Sequence, residues 1–144
     1  MRVPLEGAKG GEAALGTLAP TNELAGAAFK SIPVTTRRLD DMILPTVGLI
    51  KIDVEGHEEA VLRGARGIIQ RDHPRLMIEI EERHNEGAIS RGCLSFCLSL
   101  DTNPMSLREH QLSPIDSDTA IELQRSHSGN RYLNNFFFLP RGTR

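Results

Sequence analysis

The chain has 144 residues and a mass of 15.9 kDa, which is one domain's length and leaves no room for a second. It is 39% hydrophobic and 25% charged, so a packed core is expected rather than wholesale disorder. Lys and Arg number 17 against 19 Asp and Glu, a formal charge of −2, which argues against a nucleic-acid binder working through a basic face. With no Trp, one Tyr and five Phe there is no aromatic platform for stacking bases. No apolar run approaches the roughly 20 residues of a membrane span, and the N-terminus lacks the apolar core of a signal peptide. Two cysteines, Cys93 and Cys97, are too few for a disulfide scaffold and point to the reducing cytosol.

Residues 1–32 are loop-rich, with Gly7, Gly10, Gly11, Gly16, Pro20 and Gly26 among small and polar residues and room for one short strand at 11–18. Residues 31–36 read as extended, with Pro33 placing them at an edge, and 39–44 as one or two helical turns closed by Pro45. The continuous apolar run at 47–54 reads as a parallel strand covered on both faces. After Gly56, apolar residues Val61, Leu62, Ala65, Ile68 and Ile69 recur at helical spacing, predicting one helix over 58–70 that Pro74 ends. A second buried-type strand follows at 75–80, then a helix with Ile89, Cys93, Phe96, Cys97 and Leu100 on one face. Strand, helix, strand at this spacing predicts a right-handed βαβ unit in a parallel sheet. Further on come a strand at 105–108 leading to a turn at Ser113-Pro114, a short helix over 116–125 capped by Asp116 or Ser117, and a loop near 130–134. Three consecutive Phe at 136–138 then predict a closing strand inserted within the sheet and buried on both faces.

In an open α/β sheet, ligands bind beyond the carboxyl ends of the strands. Those ends carry Asp53 and Glu55 on the first apolar strand and Glu79, Glu81 and Glu82 on the second. Strands about 4.8 Å apart bring such carboxylates face to face, where they raise one another's proton affinity or share a divalent cation. Asp53, Glu55 and Glu79 are therefore the candidate catalytic residues, while Glu58 and Glu59 need only a helix terminus. Lys51 shares a face with Asp53 and Glu55 and is expected to pair with Asp53 or Glu79. His57 reads as an exposed cap residue, no histidines stand at metal-ligand spacing, and Cys93 and Cys97 read as core rather than ligands. Neither glycine cluster, residues 7–11 or 64–67, sits between a strand and the helix it opens, as a nucleotide-cradling turn must.

Residues 33–80 resemble the FkbM family of S-adenosylmethionine-dependent methyltransferases. The likeness runs through Leu39-Asp-Asp-Met-Ile-Leu, Ile50-Lys-Ile-Asp-Val-Glu-Gly-His-Glu, Val61-Leu-Arg-Gly-Ala and His73-Pro-Arg-Leu-Met-Ile-Glu, with Asn135-Phe-Phe-Phe-Leu-Pro similar to the family's last strand. The resemblance implies an α/β fold, the strand-three to strand-seven part of a class I, Rossmann-like methyltransferase sheet. That sheet is expected to be mostly parallel, with an antiparallel C-terminal pair. A complete domain of this kind needs about 150–180 residues, so the chain reads as a truncated copy without the Gly-rich donor loop. It also implies that Asp53 faces the methyl donor, S-adenosylmethionine, or the acceptor. His57 and the segment at 97–105 depart from the family pattern.

The expected function is O-methylation of a small-molecule hydroxyl of sugar or polyketide type by a cytoplasmic protein, without nucleic-acid or membrane partners. A competing reading is a non-catalytic interaction domain: the first apolar strand, lacking its family neighbours, has an unpaired edge on which a second copy or a complementing chain would pair. A third is a metal-assisted hydrolase built on Asp53, Glu55 and Glu79.

Overall fold

The computed structural model describes residues 1–4, 29–54, 56–80, 88–108, 110–125 and 133–142. The short strand expected at 11–18, the glycines at 7–11, and Glu55, Glu81 and Glu82 lie outside them, as does most of the expected 130–134 loop. At the front, β1 (Arg2–Pro4) and β2 (Phe29–Ser31) form an antiparallel ribbon of their own, with Val3 opposite Lys30. Residues 32–38 carry no regular structure, and the expected helical turns at 39–44 contract to a 3-10 turn, Leu39–Asp41.

That turn explains a second departure. The helix expected over 58–70 is two helices, α1 (Glu58–Gly64) and α2 (Arg66–Asp72), broken at Ala65. Asp40 makes the break. Its two carboxylate oxygens accept the N–H groups of Gly67 and Ile68, both at 3.0 Å, so a new helix N-terminus is capped in mid-run by a side chain 27 residues upstream. Gly67 leaves room for this contact: a Cβ there would lie 3.2 Å from the Asp40 carboxyl group, which would have to shift to admit it. The Asp40 carboxyl is itself held below its usual range: burial, the largest influence, pushes it up, but the two backbone donors and Arg38 together outweigh it. α2 ends on His73 in a left-handed conformation, just before Pro74.

The main sheet has five strands in the order β3 (Leu49–Ile52), β4 (Arg75–Glu79), β7 (Asn135–Pro140), β5 (Thr102–Arg108) and β6 (Gln111–Pro114). β3 and β4 are parallel, joined through α1 and α2 as the periodicity predicts. The other three ladders, β4 with β7, β7 with β5 and β5 with β6, are antiparallel. The sheet is thus mixed and mostly antiparallel, not mostly parallel as expected. The reason lies in β7, which returns between β4 and β5 and runs against both, making the expected antiparallel pair with β5. The turn expected at Ser113-Pro114 is instead strand: the β5–β6 pairing begins with Arg108 opposite Gln111, and Pro114 sits on an edge strand where its missing N–H costs no ladder bond.

α3 (Ala88–Leu98) and α4 (Ser117–Arg125) complete the helices, and Asp116 caps α4 by accepting the Thr119 N–H at 2.9 Å. One core unites them with the sheet: Leu62, Ile69, Cys93, Leu94, Cys97 and Ile121 pack on Ile52, Leu76, Ile78, Ile80, Phe136 and Phe138. The expectation of two-sided burial fails for both apolar runs. β3 buries only Ile52 fully and leaves Leu49 62% exposed, because β3 is an edge strand whose helices lie on one side. Likewise Phe136 and Phe138 are buried while Phe137, on the opposite face, is half-buried. The cysteines are free and belong to the core, as expected. Burial pushes the Cys93 thiol up to about 12, with help from the charges of Glu58 and Glu59, and raises Cys97 too, so both are unreactive.

Candidate functional site

Strand alternation puts Lys51 and Asp53, Met77 and Glu79, and Asn135 and Phe137 on the face of the sheet away from the helices. The β3–β4 register pairs Lys51 with Met77 and Ile52 with Ile78; one residue further, Asp53 lies beside Glu79 at the carboxyl ends of the two parallel strands. The β4–β7 register sets Glu79 opposite Asn135. A polar row therefore crosses three strands at one end of the sheet.

Each member has a partner. The Lys51 ammonium donates to Asp53 Oδ2 at 2.6 Å, the first of the two pairings expected for it, and that hydrogen bond with the charges of Asp53 and Glu79 raises the lysine's proton affinity. Glu79 Oε1 accepts the side-chain amide of Asn134 at 2.8 Å, and Asn134 Oδ1 accepts the amide of Asn135 at 2.8 Å. Asn134 also holds the end of β4 through its main chain, whose carbonyl accepts the Ile80 N–H at 2.7 Å. Glu79 is thereby fixed in orientation, while the Asp53 side chain is 38% exposed and open to a ligand.

Behind the row lies the turn into α1. Gly56 adopts φ +93°, a conformation that favours glycine. Its N–H donates to Glu58 Oε1 at 2.9 Å, so Glu58 reaches back over the turn. Glu58 is only 2% exposed, and its Oε2 has no hydrogen-bond partner among the described residues. The expectation that Glu58 needs only a helix terminus understates it; Glu59 is surface, bonded to Arg63 one turn on. His57 is the half-buried N-cap residue, its carbonyl accepting the Val61 N–H at 3.2 Å while its side chain makes no cap bond.

The structure thus brings Asp53 and Glu79 to one end of one face, with Lys51 beside them; Glu55 lies outside the described residues. Asn134, Asn135 and the backward reach of Glu58 were not legible as site features. The carboxyl-end rule looks only at parallel strands, and Asn134 and Asn135 enter because β7 runs antiparallel, bringing its amino end to the carboxyl end of β4. Among the described residues no group of three His, Cys, Asp or Glu is placed to hold a metal ion, and no helix is long and apolar enough to cross a membrane.

An exposed carboxylate beside a second, amide-held carboxylate suits a cationic or hydroxyl-bearing ligand, because it supplies negative potential and acceptors, with Lys51 and Asn134 as the donors already bonded to them. Searches of curated proteins and of solved structures gave no match to the chain. The family model described as the methyltransferase FkbM domain, however, matches residues 4–123, running from the last residue of β1 into α4 and stopping before β7. A match over most of the chain, on a mixed α/β sheet with its acidic row at the strand ends, places this protein in the FkbM methyltransferase family.

Proposed function

We propose that the chain transfers a methyl group from S-adenosylmethionine to the hydroxyl of a small molecule, of sugar or polyketide type, in the cytoplasm. The observation that supports this reading most is the acidic row in a chain of this family: Asp53 and Glu79 on adjoining parallel strand ends, with Asn134 fixing one of them. When bound, S-adenosylmethionine supplies an electrophilic methyl on a cationic sulfonium. The carboxylates fit such a group by charge; Asp53 is the residue proposed to hold it.

The chain's own residues then have distinct tasks. Asp53, released from or shared with Lys51, accepts a hydrogen bond from the acceptor hydroxyl and takes its proton as the oxygen attacks. Glu55, outside the described residues, is proposed as a second acceptor. Glu79, unable to swing because Asn134 holds Oε1, aligns the acceptor, and alignment is the main help an in-line displacement needs. Lys51 holds the Asp53 carboxylate in place through their ion pair at 2.6 Å until the hydroxyl arrives.

Isothermal titration of the chain with S-adenosylmethionine tests this. Binding in the micromolar range that Asp53→Asn weakens supports the reading; no heat with folded protein overturns it for this chain and favours the non-catalytic interaction domain, for which the free edge of β3 is the supporting observation.

A further inference from the structure

The outer edge of β3 carries backbone donors and acceptors that methyl transfer does not use, beside the side chains of Lys51 and Asp53 that it does. The Gly48 carbonyl accepts the Arg75 N–H at 3.0 Å and Leu49 is in register with Arg75, so Gly48, Ile50 and Ile52 turn their backbone groups inward to β4. Leu49, Lys51 and Asp53 turn theirs outward, and among the described residues no strand lies beyond them. The side chains are sorted by face. Ile50, Ile52 and Val54 lie on the helix side, where Ile50 and Val54 are only partly covered by the core; Lys51 and Asp53 lie on the other. Leu49, at the start of this strand, is 62% exposed. An open strand edge is a template for strand pairing.

We propose that β3 forms a two-fold interface with β3 of a second copy of this chain, antiparallel and centred on Ile52, so that each Lys51 faces Asp53 of the other copy. The charge pattern selects both the occupant and the register. Two-fold antiparallel pairing of this edge can centre on Ile50, Lys51 or Ile52. Centring on Lys51 sets two ammonium groups against each other, and centring on Ile50 sets Leu49 against Lys51 with no ion pair. Centring on Ile52 gives two Lys–Asp pairs on one face. On the other it sets Ile50 against Val54 and Val54 against Ile50, two partly covered aliphatic pairs on either side of Ile52, which its own core already buries. Lys51 and Asp53 also become the residues that exchange backbone hydrogen bonds across the edge. The ion pair at 2.6 Å within each strand opens into a ring of four alternating charges, so no carboxylate loses its lysine. The strand is complementary to its own reversal.

Sedimentation equilibrium of the full chain at micromolar concentrations, without methyl donor, reads this directly and independently of the proposed function. The wild type is expected to be dimeric, more weakly so at high salt. Lys51→Asp makes the edge all acidic and Asp53→Lys makes it all basic. Each variant alone sets like charges opposite each other, and its dissociation constant should rise about tenfold or more. Mixed in equal amounts, the two should form a heterodimer, because every facing pair is then opposite in sign. Circular dichroism checks that each is folded; should either single variant fail, the double exchange Lys51→Asp with Asp53→Lys preserves all pairs and should dimerise like the wild type. A monomeric wild type, single variants that dimerise as the wild type does, or folded single variants that ignore each other on mixing would each overturn the proposal.

Discussion

The two faces of the five-stranded sheet divide the labour of the molecule. On the helix side, even-numbered residues of β3, β4 and β7 disappear into one core, Phe136 and Phe138 at 1% and 0% exposure. On the other side, the odd-numbered residues of the same strands are half-buried or exposed, and they include Lys51, Asp53, Glu79 and Asn135. The same backbone ladder therefore carries the core on one face and the proposed ligand chemistry on the other, and a substitution's consequence depends on its parity along the strand.

The sharpest test of that division uses neighbours in β7. Phe138→Ala should cost about 3–5 kcal/mol by guanidinium denaturation, the range for emptying an aromatic site in a core. Phe137→Ala, one residue earlier and facing the other way, should cost only about 1–2 kcal/mol, in proportion to its partial burial. Equal losses would mean that the open face is as well covered as the helix side. Next in size is the cap on α2: Asp40→Ala should destabilise by about 1 kcal/mol, with amide exchange faster at Gly67 and Ile68 than in the rest of the helix.

A smaller effect follows from acid. The Asp72 carboxylate accepts the Arg71 guanidinium at 2.6 and 2.7 Å and the Val47 N–H at 2.9 Å, tying the end of α2 to the lead into β3. The Arg71 hydrogen bonds and then the Val47 donor hold it down at about 2, against 3.8 for the free side chain. The folded state binds this proton less readily than the unfolded one, so the stabilisation is complete above about pH 4 and is lost as the pH falls through about 2. Asp72→Asn should flatten the acid limb of the stability curve in that window. Smallest in stability is Asp53→Asn on the open face, which should leave the denaturation midpoint unmoved yet weaken S-adenosylmethionine binding about tenfold, the weight of one hydrogen bond to a charged acceptor. A variant that unfolds the chain but binds normally would reverse the assignment of the two faces.

These contrasts mark what could be read without coordinates. The apolar runs at 47–54 and 75–80, the helical spacing between them and the cysteines' place on an apolar face were legible because burial imposes a period on the chain. The pairing of Lys51 with Asp53 was legible too, as an alternation of two residues on a strand. The break at Ala65 was not, because the carboxylate that makes it comes from Asp40, and nothing local to residues 58–70 announces an incoming cap. Asn134, read as loop, and Asn135, read as the start of the closing strand, were passed over as site residues for a related reason: their place beside Glu79 depends on where β7 inserts.

By itself, then, the sequence determined the strands near 47–54, 75–80 and 135–140, the helical stretches around them and the core place of both cysteines, since these follow from spacing along one stretch of chain. Strand order, the antiparallel majority, the one-sided cover of β3 and the amide clamp on Glu79 were decided only by the tertiary structure. Each depends on β7 entering between β4 and β5 and on every helix packing to one side, and the free energy that selects that arrangement comes from contacts between residues far apart in the chain.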